Sequence, residues 1–349
     1  MNIHLSFLFR RCSVFHFVCC NPSRVECLRS FRAMSLLEDR IKKHRRDLRV
    51  LSIQSHVISG YAGNKCSVFP LQLHGFEVDV INSVQFSNHT GYANIRGGRL
   101  TSKDLSDLFE GLKLNQIDKY SHILTGYCGD ASFLREVSSM VSDLKCKNDK
   151  LVYVCDPVLG DNGKYYAPEE LMPIYRDEIL PLAEIITPNV FELSQLSGMN
   201  VTTEAECLNA INDLHKLSGV PIIVVTSGMT SDTGDVSYCY ASRVLSRENQ
   251  KAEVYRFEIP IVRGIFVGTG DVFASLLLVW LTETEGNIVE SVCKVICSLQ
   301  SLLKRTSATA FAEPIEEGVQ PSISKRELRL IESRYDLLVP TGNINYVKL

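Results

Sequence analysis

The run "FVGTGDVFASLLLVWL" at residues 266–281 sets Gly268, Thr269, Gly270 and Asp271 directly ahead of an apolar segment. Val272 to Trp280 has the length and character of a buried helix, and the Asp271 carboxylate falls where that helix begins. A helix start leaves backbone N–H groups unpaired and carries partial positive charge, so it readily holds an anion. Glycines ahead of it let backbone come close to that anion. Asp is also a common N-cap. Taken alone, the tetrapeptide leaves a cap and a phosphate site equally open.

Two further stretches offer carboxylates. "VCDPVLGDNGKYY" puts Asp156 and Asp161 on one loop after an apolar strand. Carboxylates so spaced can converge on Mg²⁺, which takes oxygen ligands and keeps several waters alongside substrate phosphates. Simple turn roles for both are the alternative. "ITPNVFEL" puts Asn189 and Glu192 on one face of the helix it opens. That pair reads as an N-cap with its reciprocal partner, or as a phosphate-binding helix start with a carboxylate behind it for metal-bound water. No GxxxxGK[ST] pattern occurs, so any phosphate cradle must be built from amides rather than a P-loop lysine.

The elements that would position these groups alternate along the chain. Strands are expected at 49–53, 76–82, 121–126, 151–155, 184–187 and 221–226, with helices near 60–74, 102–113, 131–145, 169–180, 189–197 and 203–217. Such alternation predicts βαβ units and a mostly parallel sheet with helices on both faces. Residues 236–242 and 254–260 read as two later strands able to pair antiparallel, and a second apolar helix at 288–303 follows the one after Asp271. Ligands in such sheets bind beyond the carboxyl ends of the strands. Ser55 and His56, Thr125 to Tyr127, Asp156 and Pro157, Thr187 to Asn189, and Thr226 and Ser227 all fall at those ends.

The 349 residues are 45% hydrophobic and 22% charged, ordinary for a globular chain and enough for a sizeable core. A net charge of −3 supplies no basic field for nucleic acid, and no apolar run reaches the ~18 residues of a membrane span. The 12 cysteines form no CxxC pair, so a reduced, cytoplasmic setting is expected. Residues 1–48 stand apart as an extension. Up to Met34 they hold five arginines and one acid, a composition suited to an organellar transit peptide covering residues 1–33. An upstream extension, with Met34 as the working start, is the competing reading.

Together "VLSIQSHVISGYAGN", "INSVQFSNHTGY", "LTGYCGDASFL", "VYVCDPVLGD", "ITPNVFEL" and "FVGTGDVFASLLL" resemble the ribokinase-like superfamily of small-molecule kinases, and within it the pyridoxal kinases. The resemblance spans roughly residues 49 to 335 and implies a kinase domain over 49–349, built as a three-layer α/β sandwich. It implies ATP-dependent phosphorylation of the 5′-hydroxyl of pyridoxal, with Asp271 as general base and the amides of Gly268 to Asp271 as the anion hole. Ser55 would meet the pyridine ring, Thr90 and Tyr127 would complete the vitamin pocket, and Val84, Phe86 and His89 would line it. Asp156 and Asp161 would hold cation and phosphate, with Thr187, Asn189 and Glu192 serving the ATP phosphates and metal shell. Thr226, Val267, Thr269 and Gly270 would lie near the nucleotide, and Tyr166 in the loop covering it. The implied cofactors are Mg²⁺, or Zn²⁺ in its place, and a monovalent cation such as K⁺ or Na⁺; the implied assembly is a homodimer. Only Asn162-Gly163-Lys164 separates "LGD" from "YYAPE", fewer residues than in animal relatives, which leaves the shape of the covering loop open. A hydroxymethylpyrimidine kinase of the same superfamily and a non-catalytic pyridoxal-binding protein are the competing functions.

Overall fold

In the computed structural model, the described residues are Ser35, Glu38, 48–246, 251–314, 316 and 318–349. The arginine-rich stretch up to Met34 and most of the charged segment after it lie outside the described residues. Among the described residues the main sheet has ten strands, in the order β12-β11-β10-β9-β8-β5-β4-β1-β2-β3. Its centre is parallel: β2 (Glu77–Phe86), β1 (Arg49–Val57), β4 (His122–Thr125), β5 (Val152–Cys155), β8 (Ile185–Ile186) and β9 (Ile222–Thr230). Antiparallel strands close the two sides: β3 (Gly97–Arg99) on one, and β10 (Val236–Ser246), β11 (Lys251–Pro260) and β12 (Tyr346–Lys348) on the other.

Alternate residues of the central strands are buried on opposite faces, which is why these strands read as unbroken apolar runs. Leu51, Ile123, Tyr153, Ile186 and Ile223 pack on one face with α2 (Ser102–Leu114), α3 (Ala131–Lys147), α5 (Val190–Ser197) and α6 (Glu204–Ser218). Val50, Leu124, Val154, Ile185 and Val224 pack on the other with α1 (Asn64–Leu73), α7 (Thr269–Glu283), α8 (Ile288–Ala310) and α9 (Arg334–Leu338). This is the expected three-layer sandwich. Cys155 and Cys239 are fully buried, and every cysteine among the described residues is free. Among the described residues no helix is long and apolar enough to cross a membrane.

Three local readings change. The helix expected at 169–180 holds only one α-turn, α4 (Leu171–Ile174), before a π-turn at Tyr175–Ile179 and a 3₁₀ turn at Leu180–Leu182. Pro181 lacks the N–H that would continue an α-helix there. The short segment after Asp161 is a hairpin, with β6 (Gly160–Asp161) pairing antiparallel to β7 (Lys164–Tyr165). Asn162 and Gly163 turn it at φ 52° and 74°, the positive pair of a type I′ turn. Finally, the last ten residues, which carry no motif, supply β12 along β11.

Candidate active site

Helix α7 begins at Thr269 with Gly268 as its N-cap at φ 86°, and Val272 through Leu281 are all buried. Asp271 therefore lies inside the first turn and makes no cap bond. Its Oδ2 instead accepts from the Gly63 N–H at 2.7 Å. Gly63 can make that approach because it carries no side chain: a Cβ there would lie 2.0 Å from the Ser55 carbonyl oxygen and 2.4 Å from its Oγ. Ser55 sits where the β1–β2 register slips between Gln54 and His56, a bulge of the kind that re-aims side chains beside sites. A buried network holds this corner: Asn64 Nδ2 donates to the Ile81 carbonyl and Asn82 Oδ1, and Ser52 Oγ donates to Asn64 Oδ1 at 2.8 Å. The acid, the glycine anion loop and Ser55 thus meet at one point.

Asp156 reaches the same point from β5. It is buried, its Oδ1 accepts from Thr187 Oγ1 at 3.1 Å, and its Oδ2 lies 3.6 Å from where a Cβ on Gly270 would be. Burial, then repulsion from Asp271, pushes its carboxyl up to about 7, and burial pushes Asp271 up to about 6. Asn189 and Glu192 form the capping box of α5. Glu192 does more than cap, because its Oε1 also accepts from Leu159 N at 2.9 Å, and Asn189 Nδ2 bonds the Gly160 carbonyl at 2.7 Å. Both Glu192 oxygens are thereby engaged by backbone, and burial followed by the Asp156 charge pushes its carboxyl well up.

Asp161 is exposed on the hairpin and its two oxygens take bonds from Asn162 N and Nδ2, so it stands at the mouth rather than beside Asp156 on the floor. Tyr166, also at the mouth, senses both levels. Desolvation and then the charges of Glu192, Asp156, Asp161 and Asp271 push its phenol up. An all-oxygen set with crowded negative charge fits Mg²⁺ completed by water and phosphate oxygens better than Zn²⁺, which favours nitrogen and sulfur. Among the described residues no three His, Cys, Asp or Glu side chains gather into a metal cage.

The other expected pocket residues lie on β2, in the turn after it and in the loop after β4. Val84 is buried and Phe86 half-buried, both on one face of β2. Ser83 Oγ donates to the Tyr127 carbonyl at 2.6 Å, tying the loop after β4 to β2. His89 is buried and Thr90 is exposed in the turn after β2. Thr226, Thr269 and Gly270 border a cavity of about 260 Å³ walled by Ile259, Val262, Phe266, Phe273, Leu299 and Leu303. Those apolar walls escaped the sequence reading because β11 and α8 meet there only after folding. Glu327 escaped it too, although its carboxylate meets His89, since nothing local marks it as more than a surface acid.

The fold and this site define a small-molecule kinase of the ribokinase-like class. Residues 80–309 match the family described as phosphomethylpyrimidine kinase. A Caenorhabditis elegans relative is 53% identical over 309 residues, covering 84% of this chain and 92% of its own length. The pyridoxal kinase of Homo sapiens is 44% identical over 302 residues, covering 84% and 96%. A solved pyridoxal kinase from Leishmania donovani, in complex with ADP and pyridoxamine, superposes with a TM-score of 0.78 at 35% identity, covering 86% of this chain and 99% of its own. The chain belongs to the pyridoxal kinase family.

Proposed function

We propose that this chain transfers the γ-phosphoryl group of ATP to the 5′-hydroxyl of pyridoxal, with pyridoxine and pyridoxamine as further substrates, and that Asp271 is the base. The observation that carries this reading is the bond from Gly63 N–H to Asp271 Oδ2, which fixes a carboxylate between an amide-lined helix start and the Ser55 corner. Phosphoryl transfer asks a protein mainly for positioning and charge stabilisation. The N–H groups of the first turn of α7 face developing phosphate charge. Asp271 takes the hydroxyl proton as the oxygen attacks. Ser55, Thr90 and Tyr127, with Val84, Phe86 and His89, hold the vitamin, and the apolar cavity beside Thr226 takes the adenine base. Asp156 and Thr187, with a water held near Glu192, would hold Mg²⁺, which when bound neutralises phosphate charge, while Asp161 acts on the nucleotide as an exposed charge at the mouth.

Residues 49–349 form the kinase domain in this reading, with 1–48 an extension to it. A homodimer, a K⁺ or Na⁺ requirement and a cytoplasmic setting belong to the same proposal and rest on the family. Assaying the purified protein with Mg·ATP against the three vitamers and hydroxymethylpyrimidine tests it. Preference for the pyrimidine, or no turnover of any vitamer, would overturn it.

Two results bear on the carboxylates. Asp161→Ala should raise the KM for Mg·ATP about two- to fivefold, the size of an exposed charge interaction, and leave the pyridoxal KM alone. A change confined to pyridoxal would remove Asp161 from the nucleotide side. The second concerns pH. Asp271 must be ionised to act, so kcat/KM for pyridoxal should rise with pH through about 6. Stability should run the other way in the ligand-free protein. Asp156 and Asp271 hold protons more tightly folded than unfolded, so the fold loses stability as pH rises from the ordinary 3.8 through about 7. A rate profile flat across that window would assign the proton elsewhere.

A further inference from the structure

We propose that Glu327 is a positioning residue for the vitamin pocket, acting through His89 on the turn that carries Thr90. It follows the 3₁₀ turn Ile323–Arg326, nearly 240 residues beyond that pocket turn in the chain. Its Oε1 accepts from the Tyr92 hydroxyl at 3.0 Å and lies 3.1 Å from His89 Nε2, while its Oε2 accepts from Tyr61 N at 2.9 Å. The Gly91 N–H donates to His89 Nδ1 at 3.1 Å. Nδ1 therefore accepts from the backbone while Nε2 faces the carboxylate, so the imidazole bridges the two. That backbone follows Thr90 directly.

The second arm of Glu327 leads to the base. Tyr61 lies two residues before Gly63, whose N–H holds Asp271. Packing leaves no slack on either arm: a Cβ on Gly60 would lie 2.3 Å from Glu327 Oε1, and one on Gly91 would lie 2.9 Å from His89 Cε1. The residues beside Glu327 anchor it to the anion loop. Arg326 Nη1 donates to the Ile265 carbonyl at 2.6 Å, and Leu328 Cδ1 lies 3.4 Å from the Cβ position of Gly268. One carboxylate thus fastens the segment before Gly63, the turn bearing Thr90 and the C-terminal segment under the glycine loop. Bonds from His89, Tyr61 and Tyr92 overcome the effect of burial and hold it below the usual carboxylate range.

Glu327 reaches the vitamin pocket through His89 and stands outside the residues assigned to the base and the phosphates. Without it the vitamin would have to order the turn on binding, a cost that falls on vitamin affinity and spares ATP. This rests on the vitamin-kinase reading above. Steady-state kinetics with pyridoxal and ATP varied separately, on Glu327→Ala, Glu327→Gln, His89→Ala and the Glu327→Ala/His89→Ala double variant, test it. Glu327→Ala should raise the pyridoxal KM about tenfold or more while the ATP KM stays within about twofold. Glu327→Gln, which keeps the shape and one acceptor oxygen, should fall between Glu327→Ala and wild type. The double variant should be no worse than the worse single, because both act along one path. Additive effects in the double variant, or a pyridoxal KM within about twofold of wild type in every folded Glu327 variant, would overturn the assignment. Should Glu327→Ala not fold, the same criterion applied to Glu327→Gln decides. Wild type inactive on pyridoxal would overturn the function itself, whereas active wild type with indifferent Glu327 variants would overturn only this role.

Discussion

Asp271→Asn should lower kcat by about 10²–10⁴-fold, the usual cost of removing a general base. Pyridoxal and ATP affinities should change far less, because the vitamin and nucleotide are held by other residues. Folding should also survive. The N-cap of α7 is Gly268, so the helix start does not depend on the Asp271 carboxylate. The fold asks of that side chain an oxygen for the Gly63 N–H, and an asparagine Oδ1 supplies one. A purely structural acid would behave oppositely, with near-normal turnover after the Asn replacement. Measuring kcat, both dissociation constants and the melting temperature on one purified variant separates the two, and wild-type turnover would end the mechanism proposed here.

Gly268→Ala should be nearly as damaging, by a different route. Gly268 sits at φ 86°, where an L-residue is strained, and a Cβ there would lie 2.5 Å from the Cys66 sulfur and 3.0 Å from the Tyr61 carbonyl oxygen. Cys66 is fully buried on α1 and cannot swing aside. The glycine loop must shift instead, carrying its amides off the phosphate. Loss of one such donor typically costs about 10²–10³-fold in kcat, and the strained backbone about 1–3 kcal/mol of stability. Cys66→Ala placed on top should recover part of the rate by making room, leaving the backbone strain. Equal damage with and without the second change, or a Gly268→Ala enzyme of normal kcat, would show that loop geometry is not what limits transfer.

The parallel sheet was legible because strands buried on both faces must be continuously apolar and must alternate with helices to cross over. "LVYVC" and "PIIVVT" state this in their residue types. The antiparallel pair after residue 236 was legible for a similar reason. The Asn-Gly hairpin after Asp161 carries a local turn signal, but the strands it joins are only two residues each, too short to show a strand pattern. Strand β12 carried no signal, because a three-residue edge strand is held by its neighbour rather than by its own pattern.

The site divides along the same line. Sequence by itself determined which strand ends carry polar groups, that a glycine-rich turn opens a buried helix, and that Asn189 and Glu192 share a helix face. Those are properties of neighbours within a few residues, where periodicity and capping chemistry act. Only the tertiary structure decided that Asp271 leaves the helix end uncapped to meet Gly63, that Cys66 lies under Gly268, that β11 and α8 wall the apolar cavity, and that Glu327 closes on His89. Each joins residues far apart in the chain, and such pairs are set by how layers pack on the sheet, which no local pattern encodes.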